Sequence, residues 1–122
     1  MNKNLSFELP LPPSINKLYV WNKYIHQKVY KKIGTDYLTV GTLLVQKFVK
    51  KYEIELFKDY FYLDLDFYLS RRNTDSHNLH KLIFDVLEHG GLVENDKWIM
   101  NRTQSVNLDK KNPRVKLTIP RS

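Results

Sequence analysis

The stretch from Arg71 to Ile99, RRNTDSHNLHKLIFDVLEHGGLVENDKWI, gathers carboxylates, imidazoles and cations around one helical pattern. Asp75 and His77 stand at its start, and Lys81 and Asp85 follow at four-residue steps. Glu94-Asn95-Asp96 comes after a Gly90-Gly91 turn. Acidic groups beside basic ones suit metal-dependent attack on phosphate. Two or three such ligands hold a hard divalent cation, and the cation polarises a phosphodiester and activates a water. Lys81, one turn past His77, can neutralise charge on the phosphate or the leaving oxygen, with Asp85 orienting it. Each residue also has a plainer reading. Asp75 can cap the helix or complement its dipole. Lys81 and Asp85 can be a surface i, i+4 pair worth a few tenths of a kcal/mol.

The helix that carries this set runs from about Ser76 to Glu88. Leu79, Leu82, Ile83, Val86 and Leu87 mark its core face, and His77, Lys81, Asp85 and Glu88 lie opposite. A strand that starts after the Gly90-Gly91 turn is expected to return its acidic end beside Asp75 and His77. His80 projects between the two faces and reads as structural. Phe84 lies on the polar side and is a candidate contact with a partner chain or with a loop of its own chain.

Upstream, LSFEL (Leu5 to Leu9) reads as a strand ended by Pro10, Pro12 and Pro13. A long loop through Ser14, Asn16 and Tyr19 to about Gly34 is a candidate binding segment. Tyr19, Trp21, Tyr24 and Tyr30 alternate there with Lys17, Lys23, Lys28 and Lys31. Those rings either stack on bases while the lysines meet phosphate, or close the core beneath the loop. Asp36 is a plausible N-cap for a first helix over Tyr37 to Lys51, with Val40, Leu44, Val45, Phe48 and Val49 as its stripe and Lys50 and Lys51 at its C-terminus. Tyr60 to Leu69 alternates as a half-buried strand. Asp64 and Asp66 share its polar face, where they either hold a metal or line a solvated sheet. Strands at about Trp98 to Val106 and Arg114 to Ile119 flank a turn at Asp109 to Pro113. The order β-α-β-α-β-β predicts an α+β fold, helices packed on a mostly antiparallel sheet.

The 122 residues suit one domain spanning 1–122. A hydrophobic content of 42% supports a folded globule. The absence of cysteine excludes disulfides and thiolate chemistry. No apolar run reaches the ~20 residues of a membrane span, and the N-terminus lacks a signal-peptide core, so the expected compartment is the cytoplasm. The formal charge of +7 suits a polyanionic partner. Its excess is clustered at Lys28, Lys31 and Lys32, at Lys47, Lys50 and Lys51, at Arg71 and Arg72, and at Lys110, Lys111 and Arg114.

Asp75-Ser76-His77-Asn78, Lys81, Asp85-Val86-Leu87 and Glu94-Asn95-Asp96 together resemble the signature of the RusA family of Holliday junction resolvases. The pattern runs roughly D-x-D-N-x-x-K, then a helical D-A-L, then a D-D pair opening a strand. Pro10 to Asn16 resembles the family's proline-rich loop, and the basic turn before Pro113 resembles its close. The resemblance implies a homodimeric, Mg²⁺-dependent endonuclease that cuts four-way DNA junctions in recombination and repair, of a kind common in bacteria and prophages. Its acidic residues carry over to Asp75 and Asp96 as metal ligands, and its lysine to Lys81 as a catalytic cation. Asn16, Lys28, Lys31, Lys32, Arg71, Arg72, Lys110 and Lys111 are the candidate DNA contacts. Two positions depart from the pattern: His77 stands for the second aspartate and Asn95 for the first of the acidic pair. An imidazole ligand suits metals softer than Mg²⁺, so His77 is read as a third ligand and Mn²⁺ as at least as effective. The competing expectation is a non-catalytic junction-binding protein whose metal site has decayed.

Overall fold

In a computed structural model, the protein is described over residues 4–13, 19–22, 27–30, 32–71 and 79–120. The elements are strands β1 (Leu5–Pro10), β2 (Tyr19–Asn22) and β3 (Gln27–Tyr30), helix α1 (Lys32–Lys51), strand β4 (Phe61–Leu69), helix α2 (His80–His89), and strands β5 (Ile99–Leu108) and β6 (Arg114–Ile119). A 3-10 turn, Asp96–Trp98, leads into β5.

Four strands form one sheet in the order β1-β6-β4-β5. β6 pairs antiparallel with both β1 and β4, whereas β4 and β5 run parallel. The parallel pair follows from the helix between them, since a chain leaving β4 through α2 re-enters the sheet in the same direction. The mixed α+β architecture and the mainly antiparallel pairing are as the patterning predicts. β2 and β3 form a separate two-stranded antiparallel ribbon, Tyr19 opposite Tyr30 and Trp21 opposite Lys28. This corrects the long loop expected from Ser14 to Gly34. Four-residue strands are too short for alternation to announce them.

Alternation in β4 places Phe61, Leu63, Leu65, Phe67 and Leu69 in the core. Leu79, Leu82, Ile83, Val86 and Leu87 all lie against them, each burial contributing roughly 1.5–3 kcal/mol. Helix α1 begins at Lys32, so Asp36 lies inside it and is not its cap. Its buried line is Gly34, Tyr37, Gly41, Val45 and Phe48, while Val40 is half exposed. Val45 and Phe48 of the expected stripe are buried and Leu44 and Val49 pack against the core, so the departure is confined to Val40, whose place is taken by Tyr37 and Gly41. The reason is close packing. A β-carbon on Gly41 would meet the Val86 methyls at 2.8 Å and 2.9 Å, and one on Gly90 would meet Val45 at 2.4 Å. The two glycines let α1 and α2 approach where larger residues would hold them apart. Tyr37 completes this layer by donating its hydroxyl to the Pro10 carbonyl at 2.6 Å.

Candidate active site

Helix α2 presents one polar ridge. Lys81 is exposed and pairs with Asp85 at 3.8 Å, an i, i+4 contact. Glu88 stands a further turn along, and its carboxylate Oε1 accepts the backbone N–H of Asp96. His80 leaves the ridge for the interior, its ring 5.6 Å from Phe67 and 5.7 Å from Phe84. Phe84 is partly buried against the core of its own chain.

After α2 the chain turns at Gly91, whose φ of 82° is left-handed. Leu92 and Val93 are buried, and Val93 bridges to Phe57. Glu94, Asn95, Asp96 and Lys97 then emerge to solvent. Asn95 caps the 3-10 turn, its Oδ1 accepting from the Lys97 N–H at 2.9 Å. The residue that departs from the acidic pair thus has a capping role that asparagine and aspartate fill equally well. Asp96 opens the turn with its side chain exposed, and Trp98 and Ile99 carry the chain back into the sheet.

Arg71 follows β4 and is exposed; Lys110 and Lys111 are exposed on the β5–β6 turn. The Asp109 N–H donates to the Leu69 carbonyl at 2.7 Å, so these cations gather at one end of the sheet. Asp109 accepts from the Lys111 and Asn112 amides and from Arg114. The Arg114 guanidinium, with the Asn112 amide, holds the Asp109 carboxyl below the usual carboxylate range. Lys32 is exposed at the first position of α1, and Lys28 lies in β3. Asn16, Lys31, Arg72, Asp75 and His77 lie outside the described residues.

The parallel register fixes where Asp96 stands. Phe61 faces Ile99 and Leu69 faces Leu108. Asp96 therefore lies at the end where β4 and β5 begin, and Arg71 at the end where they finish. The ten residues of α2, about 15 Å at 1.5 Å each, separate Leu79 from the Asp96 turn. Asp75 and His77, beside which the acidic end of the strand is expected to return, lie outside the described residues; Asp96 itself lies at the far end of α2 from Leu79. Lys81 lies toward the Arg71 end and Asp96 at the other.

Asp64 and Asp66 are engaged elsewhere. Asp64 accepts from Arg102 at 2.7 Å and 3.2 Å, and Asp66 from the Ser105 hydroxyl at 2.6 Å. Arg102 in turn stacks over Tyr62. These contacts make the two aspartates parts of a solvated sheet face. Among the described residues no three His, Asp or Glu side chains gather closely enough to hold a metal. Asp96 and its neighbour Glu88 are hard oxygen donors of the kind Mg²⁺ and Mn²⁺ take. They fit such an ion in kind and need further donors to complete a set. Glu88 is the residue that sequence reasoning placed on the polar side of α2 without a role. Its signal was a carboxylate in the last helical turn, where the dipole disfavours it.

A compact basic α+β domain with an exposed acidic turn and a lysine–carboxylate pair on one helix has the make-up of a protein acting on nucleic acid. The chain belongs to the endodeoxyribonuclease RusA family, whose model matches residues 21–120. That family consists of enzymes that hydrolyse phosphodiester bonds in DNA. No curated protein matches the chain. No helix among the described residues is long and apolar enough to cross a membrane.

Proposed function

We propose that this protein resolves four-way DNA junctions in recombination and repair, as a homodimer that uses a divalent cation. Membership of the endodeoxyribonuclease RusA family carries this reading. Asp75, His77 and Asp96 would hold the ion, which supplies polarisation of the phosphodiester and an activated water. Lys81, exposed and paired with Asp85, offsets the charge that builds on the phosphate. Arg71, Lys110 and Lys111, at one end of the sheet, with Arg72, Asn16, Lys28, Lys31 and Lys32, grip the DNA backbone. The imidazole of His77 makes Mn²⁺ at least as effective as Mg²⁺.

The separation of Asp96 from the start of α2 supports the dimer. With Lys81 toward one end of α2 and Asp96 beyond the other, a second chain related by a two-fold axis can bring its Asp96 to the first chain's Asp75. A four-way junction has the same symmetry and needs two cuts. Leu56, Tyr60, Tyr62 and Met100 are exposed at the end that carries Asp96, and a partner chain would cover them.

The test is cleavage of a synthetic four-way junction by wild type and Asp96→Asn, in Mg²⁺ and in Mn²⁺. Paired symmetric cuts by wild type, lost in Asp96→Asn, support the reading. Tight junction binding with no cleavage in either metal would overturn it in favour of a non-catalytic junction binder.

A further inference from the structure

We propose that Glu88 is a positioning residue for Asp96, an inference that rests on the reading of Asp96 as a site residue. Four consecutive residues, Glu94 to Lys97, are exposed and take no part in the core. Their shape comes from within: the Lys97 amide meets Asn95 Oδ1, and the Trp98 amide meets the Asn95 carbonyl at 3.2 Å. Bonds from Glu94 and Asp96 attach the turn to the rest of the molecule: the Glu94 N–H meets the Phe57 carbonyl at 3.0 Å, and the Asp96 N–H meets Glu88 Oε1, which joins the residue proposed to do chemistry to the helix that carries Lys81 and Asp85.

The position of Glu88 is otherwise unfavourable. It lies in the last two residues of α2, where the helix dipole repels an anion. It also stands beside a second carboxylate, Asp96. A backbone N–H donated to an ionised acceptor is a strong bond, and it offsets both penalties. The clamp leaves the Asp96 carboxylate outward while its backbone is fixed. It also places a negative charge next to Asp96, where the neighbouring Asn95 is neutral. Asp96 thus reaches the phosphate site from a turn held to α2 rather than from a free loop.

The experiment compares wild type, Glu88→Gln, Glu88→Ala and Asp96→Asn as full chains. One readout is the Asp96 backbone amide proton shift by NMR, without metal or DNA; the other is junction cleavage with kcat and KM separated. An amide oxygen still accepts the bond, so Glu88→Gln should keep the downfield Asp96 amide shift and most of kcat. Glu88→Ala should lose the shift and about 10- to 100-fold in kcat, with KM for the junction unchanged. If Glu88→Ala keeps wild-type kcat while Asp96→Asn is inactive, the positioning role is overturned and the resolvase reading stands. An Asp96→Asn enzyme with full activity would remove the reading of Asp96 itself. An Asp96 amide shift that ignores Glu88→Ala would show that the clamp is not made in solution.

Discussion

Gly41 of α1 lies against Val86 of α2 so closely that a β-carbon there would stand 2.8 Å from a valine methyl. This contact sets the height of the helix that carries Lys81, Asp85 and Glu88. Valine is stiff about its first side-chain torsion, so it cannot swing aside. Gly41→Ala should therefore destabilise the fold by about 1–3 kcal/mol from overpacking, reduced by the ~1 kcal/mol that alanine gains over glycine in a helix. Thermal unfolding of Gly41→Ala, Val86→Ala and the double variant checks it. The double variant should be more stable than the sum of the singles by roughly 0.5–3 kcal/mol. Strict additivity would mean that the two residues do not touch.

The pairing of Asp64 with Arg102 makes a second expectation. Their bond spans neighbouring parallel strands on a solvated face, where solvent screening leaves an ion pair with little effect on stability. Asp64→Asn should therefore cost little in a denaturant titration and should leave junction cleavage unchanged. A loss of cleavage comparable to that of Asp96→Asn would return Asp64 to the list of metal ligands.

The legibility of these features in the sequence follows their physics. β4 and α2 are regular over enough residues that periods of 2 and 3.6 pick out Leu63, Leu65, Phe67, Leu82 and Val86 correctly. The expected face of α1 holds at Leu44, Val45, Phe48 and Val49 and fails at Val40, because the closest contact of the helix depends on two glycines, which carry no hydrophobic signal. Tyr37 and Gly41 face the core while the more apolar Val40 is half exposed. The direction of β5 is not legible in the sequence for a different reason. A strand's own residues do not say whether it pairs parallel or antiparallel, and that choice moves Asp96 from one end of α2 to the other. The Glu88 clamp needs two segments eight residues apart to meet around the turn at Gly91, which spacing alone does not reveal.

Acid should loosen the β5–β6 turn late. Arg114, with the Asn112 amide, lowers the Asp109 carboxyl below its ordinary value. A group whose folded-state pKa is depressed contributes stability above its unfolded value, about 3.9, and loses it as pH falls through the folded value. The turn that presents Lys110 and Lys111 should stay formed through neutral pH and down past about pH 4. NMR titration of the Lys111 and Asn112 amides checks this. Their common midpoint should fall below that of an unpaired aspartate and vanish in Asp109→Asn. A midpoint at the ordinary value would contradict the Arg114 contact.

Exposed apolar groups at the Asp96 end give an oligomeric prediction. Tyr62 and Met100 are opposite one another on β4 and β5, 48% and 44% exposed. Tyr62→Lys with Met100→Lys should shift the protein from dimer to monomer in sedimentation equilibrium, because a covered apolar patch does not accept two charges. The melting transition should stay cooperative, since neither side chain is in the core. A monomer already in wild type would refute the dimer.

The arrangement of α2 also predicts how two inactive variants behave together. If each metal site takes Asp75 from one chain and Asp96 from its partner, Asp75→Asn and Asp96→Asn each spoil both sites of their own homodimer. In a heterodimer of the two, both substitutions fall in one site and the other site is intact. Co-refolding an equimolar mixture gives about half heterodimer by random assortment, so junction nicking should return while paired cuts stay absent. If instead each site is built within one chain, every site in the mixture carries one substitution, and no activity returns. The nicked-to-resolved product ratio on a gel separates the two cases. The composite site is the outcome expected from an Asp96 that stands at the far end of α2 from Lys81.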